Sequence, residues 1–165
     1  MSLQTTINTK QAFGVEGEFY DNSPRRVHTY VLNASAGSAL PHFGYAFTHD
    51  TAEGEAKLAG SGVFAGILVN PKEHALYGTA GNPLGAALTV PAGKTGSLAT
   101  MGHIIVRVTA AVAIGDQAQY NTTTGAISAP VTPGTADAGN ALIANSKFVF
   151  VAGLKDGLAV LELGA

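Results

Sequence analysis

The sequence predicts an all-β protein: a single β-sandwich, jelly-roll-like or barrel domain with an extended N-terminal arm. About ten short apolar or alternating segments recur along the chain, and turn signals separate them roughly every 8 to 12 residues. No segment carries the 3.6-residue apolar period of a long amphipathic helix. The 165 residues fit one domain, and a hydrophobic content of 46% is enough for a core.

Residues 1–26 are predicted to form the arm, and residues 27–165 the β domain. The arm is polar and rich in turn signals, with the cluster Asp21-Asn22-Ser23-Pro24 near its end. Because it lacks a periodic pattern, we expect it to gain structure by lying on a partner and to be dispensable for folding of the domain. The alternative is a first strand pinned to the domain's own sheet.

The predicted strands follow one another closely, and turns bound most of them. They occupy residues 27–33, 43–48, 64–69, 86–90, 97–101, 103–109, 117–121, 126–128, 148–152 and 158–163. The apolar run Phe64–Val69, closed by Asn70-Pro71, is typical of a buried strand. Thr122–Gly125 is predicted to turn a hairpin. Residues 129–146 contain Pro and Gly signals and are predicted to form the main loop, with room for a short helical turn.

Composition excludes several classes of function. The formal net charge is −2, and charged residues make up only 12% of the chain, so no electrostatic attraction to nucleic acid is expected. A surface so poor in charge is easier to bury against a partner protein. The absence of cysteine removes disulfides and thiolate sites and suits a reducing cytoplasm. We see no signal peptide and no apolar run near the ~18 residues of a membrane span, so we expect no membrane partner.

Motifs for catalysis, cofactors and metals fail in their sequence context. Gly60–Ala65 matches GxGxxA, but an apolar strand follows it where a dinucleotide site needs a helix. Gly93-Lys94-Thr95 ends like a phosphate-binding loop but lacks the earlier glycine. The five histidines show no metal-ligand spacing, and the closely spaced glutamate pairs are expected to be solvated. We therefore predict no catalytic, cofactor-binding or metal-binding residue.

Arg25 and Arg26, which follow Pro24, are the charged feature that the sequence singles out. Arginine is the preferred donor to an acidic or carbonyl-rich partner surface. The two side chains are therefore candidates for a contact between the arm and a partner; the alternative is a solvated turn.

Segments along nearly the whole chain resemble one protein family. The lead Gln11–Phe19, followed by Asn22-Ser23-Pro24-Arg25, contains a Gly-x-x-Gly segment, an acidic residue and then Pro-Arg. Phe64–Pro71 resembles the family's central strand, and Gly157–Leu163 its terminal strand. Between them lies a hairpin region marked by Met101-Gly102, Gly115-Asp116 and Thr124-Gly125. In this order and spacing the segments are similar to the structural cement (capsid decoration) proteins of tailed bacteriophages.

The resemblance implies an all-β protein without catalysis or cofactor. It implies binding to the outer capsid surface of the virion, where the protein would bridge neighbouring subunits of the major capsid protein and stabilise the head. Synthesis in the host cytoplasm and self-association as a homo-oligomer, a dimer or a trimer, go with that role. On this interpretation the arm contacts the capsid through Phe13, Glu16, Phe19, Pro24, Arg25 and Arg26.

Two other functions remain as alternatives. A carbohydrate-binding β-sandwich or tail accessory module would need exposed aromatic side chains, and the chain has no Trp and only 5 Tyr. A small β-barrel enzyme would need a cluster of His and Asp around a bound metal, and the motif failures above count against it.

Overall fold

The computed structural model describes residues 14–33, 43–70, 93–108, 110–151 and 157–164. Within these ranges the chain forms strands, turns and extended segments without any helix, which confirms the all-β class. The strands are β1 Arg26–Asn33, β2 Ala46–His49, β3 Glu55–Leu58, β4 Phe64–Val69, β5 Thr95–Arg107, β6 Gln119–Asn121, β7 Ile127–Ser128, β8 Asn140–Leu142, β9 Ser146–Val151 and β10 Leu158–Leu163. The predicted strand at 86–90 lies outside the described residues.

Five strands pair in a closed ring. β1 pairs with β3, β3 with β2, β2 with β4, β4 with β5, and β5 returns to β1. The β1–β3 pair is parallel, and the other four pairs are antiparallel. Closure of this kind is that of a small barrel, one of the predicted alternatives; the strand order does not confirm a jelly roll.

β5 is the longest described strand, and it joins the ring to a second layer. In its first half, Ala99 lies opposite Val27 of β1 on one edge and opposite Ile67 of β4 on the other. In its second half, residues 102–107 pair with β10, which in turn pairs with β9. The two segments predicted at 97–101 and 103–109 are thus one continuous strand.

Two hydrophobic clusters fill the molecule on either side of the ring wall. All five ring strands contribute to the inner cluster, through side chains such as Leu32, Phe47, Leu58, Leu68 and Leu98. The second cluster covers the outside of the wall and includes the largest buried side chains from β6 onward: Tyr120, Ile127, Ile143, Phe148 and Leu161. Burying these side chains in two contiguous cores is the main favourable contribution to folding.

The second sheet has three strands in the order β7-β6-β8. β6 and β7 form the predicted hairpin, with Gln119 opposite Ser128. β8 pairs with the other edge of β6, so the prediction that residues 129–146 are all loop was wrong at Asn140–Leu142. Its three side chains are only half-buried, and it becomes a strand because β6 offers an edge, a contact that its own sequence pattern does not reveal.

Candidate functional site

Residues 14–20 of the predicted arm lie along the second half of β5. The Gly17 and Tyr20 amides donate to the carbonyls of Ile105 (2.8 Å) and His103 (2.9 Å), and the Ile105 amide donates to Glu18 O (2.9 Å). The segment runs antiparallel to β5, as β1 does, so it adds to this sheet as a short strand-like segment. This part of the arm therefore has the arrangement of the alternative interpretation, a segment pinned to the domain's own sheet. A truncation designed to keep the fold must end before Gly14.

Two of the predicted contact residues are engaged within the domain. The Glu16 carboxylate pairs with the Arg107 guanidinium and is only 12% exposed. Phe19 packs against the outer core cluster, and the Arg25 guanidinium lies 5.0 Å from the centre of its ring, a cation–π contact. Glu16 and Phe19 thus hold the segment on the domain, while Phe13 lies outside the described residues.

Asp21 fixes the turn that follows this segment. Its carboxylate lies 2.7 Å from His103 Nδ1, and its other oxygen accepts hydrogen bonds from the Ser23 hydroxyl (2.5 Å) and amide (3.0 Å). These contacts, with the Ser23 hydroxyl first and His103 second, lower the pKa of Asp21 from 3.8 to about 2. His103 also faces Glu162 of β10, with Nε2 3.7 Å from Oε2, so the turn is tied to two strands of the second layer.

We expect Asp21→Asn to lower the free energy of unfolding at pH 7 by only about 0.5 kcal/mol, because Asp21 is well exposed and solvent screens its charge. The native state lowers the pKa of this carboxyl, so its ionised form stabilises the fold above about pH 4, and that stabilisation is lost as the pH falls towards 2. Urea unfolding at pH 7, 5 and 2.5 should show the gap between wild type and variant closing only at the lowest pH. A gap that persisted unchanged at pH 2.5 would contradict this assignment.

The remaining predicted contact residues, Pro24, Arg25 and Arg26, have exposed side chains. They lie beside an open groove of about 580 Å³, whose lining includes Phe19, Arg25 and Val27. The structure therefore divides the predicted set: its first described members hold the segment against β5, and its last three face solvent where β1 begins.

The acidic clusters elsewhere serve local structure. Glu55 Oε2 accepts from the Asn33 amide group at 2.6 Å, and Asp50 accepts from the same group at 3.2 Å. The hydrogen bond from the Thr51 amide is the largest cause that lowers the pKa of Asp50, and the hydrogen bond from the Asn33 side chain is the second. Among the residues that the structure describes, no three His, Asp or Glu side chains converge as metal ligands would. These carboxylates therefore bind loop amides and side chains of the protein itself.

The Asp21–His103–Glu162 cluster escaped sequence reasoning. Asp21 and His103, which meet there, are 82 positions apart in the sequence, and no motif links them. The one available signal was the turn cluster around Asp21, in which a carboxylate commonly accepts the amide two residues later.

Within the described ranges, no helix is long and apolar enough to cross a membrane.

The comparisons with known proteins agree with the fold. A family model described as "Structural cement protein (E217 gp24/Pam3 gp6)" matches residues 3–164. Among solved structures, a chain of "The capsid of Myoviridae Phage XM1" is similar over 99% of this chain and 98% of that one, with a TM-score of 0.66 and 15% identity. At that identity the likeness shows a shared fold. No curated protein sequence matches significantly.

Proposed function

The chain belongs to the family of structural cement proteins typified by E217 gp24 and Pam3 gp6, and we propose that it binds the outer surface of a phage head and bridges neighbouring subunits of the major capsid protein. Its role is that of a capsid-associated structural protein of the virion. The observation that carries the proposal is the family match from residue 3 to residue 164, which spans both the arm and the β domain.

The proposed mechanism is multivalent. Each protomer makes a modest contact, and a dimer or trimer touching several capsid subunits binds tightly because the later contacts are effectively intramolecular. The low content of charged residues, 12%, supports this role because little charge has to be desolvated when the surface is covered. Bridging then stabilises the head because capsid subunits bound to the same partner protein can separate only after that protein dissociates from one of them.

Within this mechanism, the arm is proposed to reach the capsid. Gly14 lies against Ile105, and 13 residues precede it, which in extended form reach about 45 Å. Such a segment is long enough to add a strand to the edge of a capsid sheet. Phe13, Pro24, Arg25 and Arg26 remain the proposed contact residues, whereas Glu16 and Phe19 contribute by holding the base of the arm.

Deletion of residues 1–13 is expected to abolish or strongly reduce head binding while leaving the domain folded, because the truncated chain keeps the segment from Gly14 to Tyr20 that hydrogen-bonds to β5. The measurement is co-sedimentation with expanded, undecorated heads, next to the melting temperature of the free protein. Full occupancy of heads by the truncated protein would contradict a role for the arm.

The oligomer and the stabilising effect are tested with the full chain. Size exclusion with light scattering gives the mass of the free protein, and the melting temperature of heads is compared with and without it. A stable dimer or trimer that co-sediments with heads and raises their melting temperature is the expected result. A monomer without affinity for heads would overturn the proposed function and would make glycan screening the next experiment.

A further inference from the structure

β1 has one edge that is only partly used. Along residues 26–31 one edge pairs with β5, whereas the opposite edge pairs with β3 only at Val31, Leu32 and Asn33. In the part of the chain that the structure describes, no strand pairs with that opposite edge between Arg26 and Tyr30. The residues from Arg26 to Thr29 are all exposed to solvent.

The hydrogen-bond pattern shows which backbone groups face outward. The Leu32 amide donates to Lys94 O beside β5, whereas the Val31 amide donates to Gly54 O on the opposite side. Successive residues of a strand direct their amides and carbonyls to alternate edges. The backbone groups of Thr29 and Val27 therefore face away from β5, as those of Val31 do. A row of this kind, which has no partner strand among the described residues, is a template for adding another strand.

We propose that this edge, the β1 edge from Arg26 to Tyr30, binds an extended acidic segment of the major capsid protein by strand addition. The inference rests on the proposed function and specifies how the capsid is bound. Main-chain hydrogen bonds to Val27 and Thr29 supply the affinity, and alternate side chains supply the selectivity.

The charge of the β1 edge argues for an acidic partner. Arg25, Arg26 and His28 lie on or beside it, and residues 24–30 include no acidic side chain, although the chain as a whole carries −2. The nearby Asp21 is already paired with His103. A second copy of β1 fits less well, because its residues 24–30 would bring no acidic side chain to face these cations.

The first test compares Thr29→Pro with Thr29→Ala on intact, undecorated heads. Both variants lose the threonine side chain, but only proline removes the outward amide and obstructs an added strand. Since that amide does not face β5, Thr29→Pro should remain folded with a melting temperature near that of Thr29→Ala. We expect head binding to weaken roughly ten-fold or more for Thr29→Pro and to stay near the wild-type level for Thr29→Ala.

The second test addresses the charge of the partner. Arg26→Glu should weaken head binding, and Lys94→Glu is its matched control because it makes the same change in net charge about 20 Å further along the strand pair. Equal effects of the two variants would overturn the acidic partner. Binding that weakens with added salt for the wild type, and less so for Arg26→Glu, is the expected pattern.

The remaining outcomes separate this inference from the proposed function. If the wild type binds heads and Thr29→Pro binds them equally well, the inference alone is overturned. The same holds if Thr29→Ala loses as much head binding as Thr29→Pro. No binding by the wild type would overturn both. Slow hydrogen exchange of the Val27 and Thr29 amides in the free protein would show that the edge is already covered by the same chain or a second copy, which also overturns the inference.

Discussion

Replacing Gly17 by alanine is expected to lower the free energy of unfolding by about 3 kcal/mol. The backbone at Gly17 has φ +78°, where an L side chain costs about 1–2 kcal/mol. An added Cβ would also lie 2.7 Å from Phe43 Cβ and 3.1 Å from Leu68 O, so packed atoms would have to shift. Gly17 bridges two elements, since its amide donates to Ile105 O and its carbonyl accepts from the Asn70 amide. Urea unfolding measures the loss.

Gly54→Ala is the matched control for this substitution. Gly54 has the same φ of +78°, but no atom of the described residues lies within 4 Å of the position a Cβ would take. The control should therefore lose only the backbone contribution, about 1–2 kcal/mol, and the difference between the two variants isolates the cost of packing at Gly17. Equal losses of free energy for the two variants would contradict our account that the arm segment packs closely against β4 at Gly17.

The Gly17 geometry also gives a physical reason for one sequence signature. Gly14 and Gly17 are the two glycines of the Gly-x-x-Gly segment, and an added Cβ at Gly14 would lie 2.4 Å from the Ile105 side chain. The segment thus passes close to β5 and β4 at points where only glycine fits. The sequence shows the Gly-x-x-Gly motif, but it does not show that the segment packs against β5 of the same domain.

Sequence reasoning succeeded where a strand's own residues determine it. The apolar run Phe64–Val69 became β4 with the predicted bounds, because continuous burial leaves a continuous apolar pattern. The hairpin formed by β9 and β10 was likewise confirmed. The same reasoning missed β3 and β8, which are short and half polar and become strands through neighbours distant in sequence.

The candidate site was predictable only in part for a related reason. Arg25 and Arg26 were singled out as the charged feature of the arm, and Pro24 through the Pro-Arg of the family signature; all three residues are exposed in the structure. Nothing in the sequence pattern distinguished them from Glu16 and Phe19, whose partners Arg107 and Ile104 lie more than 80 positions away in the chain. The sequence around a charged side chain near the N-terminus does not show whether that side chain contacts another protein or β5 of the same chain.

Phe148→Ala is expected to lower the free energy of unfolding by about 4 kcal/mol, the usual cost of deleting a buried aromatic ring. Phe148 is fully buried in the outer core cluster, together with Tyr120 and Leu161. Because domains of this size are stable by only about 5–15 kcal/mol, the variant should unfold at a much lower urea concentration than the wild type. The change is in the core, so circular dichroism of the folded baseline should remain that of an all-β protein.

Phe150→Ala, two positions along the same strand, is the control and should lose no more than about 1 kcal/mol. In a regular strand the two rings would share one face, but the register with β10 shifts between Val160 and Leu161, and a shift of this kind turns one side chain away. Phe150 is consequently 46% exposed and stacks on Tyr20, with ring centres 6.1 Å apart. Equal losses for the two variants would mean that this irregularity is absent and that alternation alone determines which side chains enter the core.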